Sequence, residues 1–219
     1  FAPSFYDSKL LFSSGRQVNQ KLRSEPGNEG YFHIYESNIQ PTGLVASVQL
    51  FKSLKDTDYH EATPFYSSKL NSVFYVMSNT ENAELAFDSN GKNALAIAKQ
   101  VIGGSYQLLL KDLSTSFYYP FYDDASGKLY FSADFEDSYG GTDIYYVYTN
   151  NGQVMSAPIN LGPRINSPGN EVAPYIFENS LYFASDVFYG LGGMDIYKSN
   201  IEDDGFGTPI NLGEPINTE

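Results

Sequence analysis

At 219 residues, with 42% hydrophobic and 16% aromatic content, the chain can bury a real core and is too apolar for wholesale disorder. A net charge of −13, with the thirteen Lys and Arg scattered, argues against nucleic acid and anionic membrane surfaces as partners, and no apolar run approaches the roughly 20 residues of a membrane span. Cysteine is absent, which excludes disulfides, thiolate nucleophiles and cysteine zinc sites, while 19 Tyr and 16 Phe without any Trp favour pleated strands.

The chain opens on Phe1-Ala2-Pro3-Ser4-Phe5-Tyr6, which reads as the middle of a domain, with any targeting segment outside this sequence. Four successive units then each begin with a proline followed by aromatic or aliphatic residues, at Pro3, Pro64, Pro120 and Pro174. In the first unit Phe32–Ile39 holds the place that an Asp-Ile-Tyr run holds later, with His33 where the Asp would be. In the second, Asn93–Val101 takes that place and the motif is gone. The stretch leading into it has weak helical periodicity and reads better as an interrupted loop.

The third and fourth units are regular. Ser126–Asp134 matches Glu178–Asp186. Gly140-Gly141-Thr142-Asp143-Ile144-Tyr145 matches Gly192-Gly193-Met194-Asp195-Ile196-Tyr197, with 52 residues between Asp143 and Asp195. Turns follow at Asn150-Asn151-Gly152 and Asp203-Asp204-Gly205, which are strong hairpin signals because Asn, Asp and Gly tolerate positive φ. Pro158-Ile159-Asn160-Leu161-Gly162 and Pro209-Ile210-Asn211-Leu212-Gly213 complete each unit, 51 residues apart. About four short strands per fifty residues is the arithmetic of a β-propeller blade. The expected fold is all-β, one β-propeller domain over residues 1–219 with blades near 1–60, 61–117, 118–171 and 172–219, part of a larger ring.

These motifs resemble the TolB-type, WD40-like propeller repeat. The Gly-Gly-x-Asp-Ile-Tyr form followed by Pro-Ile-Asn-Leu-Gly is similar to copies in cell-envelope proteins of Bacteroidota. The resemblance implies a periplasmic, outer-membrane-associated protein of an OmpA-family or type IX secretion complex. Its partners would be other envelope proteins, and it would reach peptidoglycan only through a domain outside this chain.

Asp143 and Asp195 admit two readings. They could be calcium or sugar ligands, since hard cations want several oxygens. Alternatively the paired glycines (Gly140 and Gly141, Gly192 and Gly193) supply turns with positive φ, and the Asp accepts backbone N–H bonds at a strand entrance. Recurrence once per unit, and the tolerance of His33, favour the second reading and mark Ile144, Tyr145, Ile196 and Tyr197 as repeat-motif positions. Calcium remains the alternative at the acidic loop containing Glu136, Asp137 and Asp143. Tyr118, Tyr119 and Tyr122, in the aromatic run Ser116–Asp124, are expected mainly as core, with a share left to an interaction surface alongside Glu136 and Asp137.

Catalytic motifs are missing: there is no Gly-x-Ser-x-Gly and no His-Glu-x-x-His, and the two histidines are His33 and His60. His60-Glu61 stands where the fourth unit has Asn170-Glu171, which suggests a polar contact at a blade edge. The expectation is a protein-binding scaffold that is not an enzyme and carries no cofactor. The alternatives are a glycan- or calcium-binding propeller and the propeller of a prolyl-oligopeptidase-like peptidase.

Overall fold

The computed structural model describes residues 3–16, 31–55, 57–203 and 205–219, so Asp204 of the fourth unit's expected turn lies outside the described residues. Every regular element among them is a strand, which gives an all-β, four-bladed propeller fold. The chain divides into two compact units, Phe1–Leu113 and Ser114–Glu219, each holding two blades.

In the first unit, β1 (Ser4–Tyr6), β2 (Lys9–Ser14), β3 (His33–Ile39) and β4 (Val45–Leu50) form one antiparallel sheet in chain order. The second sheet contains β5 (Glu61–Ser67), β6 (Ser72–Ser78), β9 (Leu95–Val101) and β10 (Tyr106–Leu110). A two-stranded hairpin, β7 (Thr80–Glu81) and β8 (Glu84–Leu85), is inserted between β6 and β9, where the sequence suggests an interrupted loop. Strand β6 is buried along its whole length, because both of its faces are covered. The core joins the two sheets through Leu11, Ile34, Phe51, Leu54, Val73 and Tyr75.

In the second unit, β11 (Phe117–Asp123), β12 (Lys128–Ala133), β13 (Asp143–Asn150) and β14 (Gln153–Val154) form the third sheet, and β15 (Ile159–Asn160) also pairs with β13. The fourth sheet repeats this with β16 (Glu171–Phe177), β17 (Ser180–Ser185), β18 (Asp195–Glu202), β19 (Gly205–Phe206) and β20 (Ile210–Asn211). Phe117 and Glu171, near the expected blade boundaries, are the first residues of β11 and β16. Asn151 (φ 50) and Gly152 (φ 72) are both left-handed, as the Asn-Gly step predicts for a two-residue hairpin turn. Ile144, Ile165, Leu181, Phe183 and Tyr197 pack as the core of this unit.

The prolines that open the units have a structural reason. In β5, β11 and β16 the ladder shifts register around Pro64, Pro120 and Pro174, and the residue before each is left-handed: Thr63 (φ 46), Tyr119 (φ 50) and Ala173 (φ 56). Proline cannot donate to a ladder, so it sits in a bulge where no donor is needed.

Adjacent sheets of a unit are stitched by one recurring backbone bond. Glu61 N–H donates to Phe32 O at 2.7 Å in the first unit, and Glu171 N–H donates to Thr142 O at 2.7 Å in the second. The match fixes the correspondence of residues: His33 takes the place of Asp143, and Glu61 that of Glu171.

Candidate functional site

The repeated acidic motif is a hydrogen-bonding junction. Asp143 is fully buried, and its Oδ2 accepts the Tyr139 N–H and the Asn160 Nδ2–H, both at 2.8 Å. Its Oδ1 is buried with no hydrogen-bond partner among the described residues. Asp195 accepts from the amides of Leu191 and Gly192 and from Asn211 Nδ2 at 3.0 Å. Two asparagines in each of the third and fourth repeats finish the junction, one of them from the Pro-Ile-Asn-Leu-Gly motif. Asn166 Oδ1 accepts the Ile144 N–H at 2.8 Å, while its Nδ2 donates to Ile144 O and to Asn160 Oδ1. Asn217 makes the same three bonds to Ile196 and Asn211. The available signal was the recurrence of Asn160 and Asn166 at the six-residue spacing of Asn211 and Asn217.

The glycines need a correction. None of Gly140, Gly141, Gly192 and Gly193 lies in the left-handed region expected of them. Gly140 is required by close approach: a Cβ there would meet the Pro168 carbonyl carbon at 2.3 Å. A Cβ on Gly141 would meet Asn170 Oδ1 at 2.2 Å, and one on Gly192 would meet Thr218 O at 2.4 Å, whereas Gly193 has nothing within 4 Å.

The remaining expected residues are dispersed. Tyr145 and Tyr197 are buried; their hydroxyls donate to Asp137 Oδ1 at 3.1 Å and to Phe188 O at 2.9 Å. Tyr122 is buried at 3% exposure and therefore belongs to the core, not to a surface. Tyr118 and Tyr119 are half-buried, and Glu136 and Asp137 are exposed. Among the described residues no three His, Asp or Glu side chains converge as a metal-holding group.

A different place has the character of a ligand seat. In the first unit a cavity of about 340 Å³ opens over an apolar floor of Ile34, Phe51 and Leu54, rimmed by His33, Lys52, Lys55 and Glu61. Apolar walls with a few convergent polar groups are the usual make-up of a small-molecule site. Glu61 is buried, and its Oε1 accepts the Thr57 hydroxyl at 2.8 Å. His60 stands beside it: its Nδ1 accepts the Phe32 N–H at 3.1 Å, and its ring lies 5.0 Å from that of Tyr31. Burial, and then the neighbouring His33, hold the His60 imidazole below its ordinary pKa.

The second unit has a matching position. The step from Leu161 to Glu171 spans ten residues, as does that from Phe51 to Glu61. Phe51 N–H donates to Ile34 O as Leu161 N–H donates to Ile144 O. There Ile165 is buried in the core, and Glu171 accepts from Ser167 N, Ser167 Oγ and Ser185 Oγ at 2.6–2.7 Å. Burial raises the Glu171 carboxyl pKa; the three hydrogen bonds oppose this, and the Asp143 charge adds to it. In the first unit Met77 pairs with Glu61 where Ser185 pairs with Glu171. Leu54 holds the Ile165 place, buried with its N–H donating to Phe51 O as Ile165 N–H donates to Gly162 O, and Lys55 follows it exposed; Asp56 lies outside the described residues.

No family model matches this chain, and no curated protein matches it. Among solved structures it is similar to a prolyl endopeptidase, with TM-score 0.55 and 11% identity over 97% of this chain and 29% of that one. It is also similar to the endo-arabinase of Bacteroides thetaiotaomicron VPI-5482, with TM-score 0.55 and 11% identity over 94% of this chain and 77% of that one. The α-L-arabinofuranosidase of Clostridium thermocellum ATCC 27405 is similar with TM-score 0.51 and 12% identity, over all of this chain and 74% of that one. The chain thus spans less than a third of the endopeptidase. At these identities the likeness is one of fold. It nonetheless overturns the expectation that this chain is not an enzyme: these neighbours are enzymes by name, glycosidases among them. The absence of nucleophile and zinc motifs does not bear on a glycosidase, whose chemistry needs only two carboxyl groups.

Proposed function

We propose that this protein is a carbohydrate-binding β-propeller whose ligand seat is the cleft rimmed by His33 and Glu61. The observation that carries the reading is the cleft itself, an apolar floor edged by an imidazole, a carboxylate and two ammoniums. A sugar ring presents an apolar face and a rim of hydroxyls, so it suits such a surface. The fold likeness to an arabinase and an arabinofuranosidase supports the same class of ligand.

His33 and His60 are the chain's two histidines, which makes their ring resonances specific reporters of the cleft. Titration with neutral arabino- and galacto-oligosaccharides should give saturable binding with shifts at His33. Binding of no saccharide, or binding that leaves both rings unmoved, overturns the reading. Reducing-end release on the same panel would add turnover to binding.

A second reading, the propeller of a prolyl-oligopeptidase-like peptidase, is favoured by the likeness to the prolyl endopeptidase. A peptidase domain encoded alongside this segment would support it. The TolB-like repeat supports placing the protein in the periplasm, beside other outer-membrane-associated proteins, and cell fractionation tests that placement.

A further inference from the structure

We propose that the cleft recognises an acidic saccharide, with Lys52 and Lys55 facing its carboxylate or sulfate; this rests on the carbohydrate reading above. Three observations carry it. The first is the direction of change between the repeats. The turn after β4 carries Lys52 and Lys55 around the buried Leu54, where the turns of the third and fourth sheets carry Gly162, Pro163 and Arg164 before Ile165 and Gly213, Glu214 and Pro215 before Ile216. The His33 position is Asp143 and Asp195. On the rim of this cleft the first repeat has two lysines, and an imidazole in place of an acid, while the same loop also carries Asp56 and Asp58. The chain has only 13 basic residues against 26 acidic ones, so two lysines and a histidine on one rim are a local reversal of the overall charge.

The second observation is that neither lysine is in an ion pair among the described residues. Lys9 is paired with Glu36 at 2.9 Å, and Arg164 with Glu202 at 3.9 Å. Neither Lys52 nor Lys55 has an acidic partner within that range among the described residues, and both side chains are exposed. The third is their setting. The cleft floor is apolar, which weakens solvent screening and strengthens any charge pair formed over it. Glu61 on the same rim repels an anion, so the ligand's acidic group is directed to the lysines and its hydroxyls toward the carboxylate. Lysine binds as a point charge, so a uronate and a sulfate ester are both accommodated.

Calorimetric titration of the chain with a galacturonate trimer, a sulfated galactan trimer and neutral β-1,3-galactotriose tests this. The acidic ligands should bind about tenfold tighter than the neutral one. The advantage should shrink as salt is raised from low ionic strength. Comparison of the two acidic trimers identifies which anion is preferred. Lys52→Gln with Lys55→Gln should abolish the advantage with Tm unchanged, and His33→Asp alone should reduce it. Equal affinity for acidic and neutral trimers, or a preference that survives the double lysine change, overturns this inference and leaves the carbohydrate reading standing. Failure of every saccharide to bind overturns both.

Discussion

His60 Nδ1 accepts the Phe32 amide N–H at 3.1 Å, and Asn170 Oδ1 accepts the Thr142 amide N–H at 3.1 Å, so an imidazole and a carboxamide perform one task in two units. The hydrogen bond needs a neutral imidazole, because protonation at Nδ1 turns the acceptor into a donor.

That requirement gives a pH dependence with a definite sign. His60 has its pKa lowered from 6.5, so in the window below 6.5 the unfolded chain binds more protons than the folded one. Its contribution is complete above pH 6.5 and is lost as pH falls through the folded value. Tm measured between about pH 7 and pH 5 should decline, and His60→Asn, which copies Asn170, should flatten that step. An unchanged decline in His60→Asn would assign the effect to other groups.

Asp143→Ala removes the acceptor of the Tyr139 amide and of Asn160 Nδ2 inside a fully buried site. The stranded donors should cost about 1–3 kcal/mol by urea unfolding. Asn166→Ala strands both backbone groups of Ile144 and should cost a similar amount. Stability unchanged in both variants would remove the junction from the list of what holds this unit together.

The glycines separate by what lies above them. Gly140→Ala drives a methyl to 2.3 Å from the Pro168 backbone, which cannot yield as a flexible side chain would, and should cost about 1–3 kcal/mol. Gly193→Ala meets nothing and should be close to neutral, within about 0.5 kcal/mol. Parallel denaturant curves for the two variants decide it.

Ile144 and Ile196 occupy the same motif position, yet Ile144 is fully buried and Ile196 is 39% exposed. Ile144→Ala should therefore cost about 2–5 kcal/mol. Ile196→Ala should cost distinctly less, because much of its surface already meets water. Equal losses would mean that the face of β18 is covered in solution.

Strand order, hairpin turns and the four-unit arithmetic were legible because they are local: a period of two, an Asn-Gly step and a recurring proline are set by neighbours along the chain. The strands of the two regular units fall where the motif places them, and His33 begins β3 as Asp143 begins β13 and Asp195 begins β18. What the sequence could not reveal depends on which surfaces meet. Gly140 looks like a turn glycine until Pro168, 28 residues later, is seen against it. The sequence leaves Tyr122 divided between core and surface, and only its place in the packed β11 shows it buried. The cleft of His33, Lys52, Lys55 and Glu61 is drawn from two sheets and the loop between them, so no single stretch announces it. Leu54 and Ile165 are each buried after the matching turn, and whether the residues around them leave a cleft is decided by packing in three dimensions.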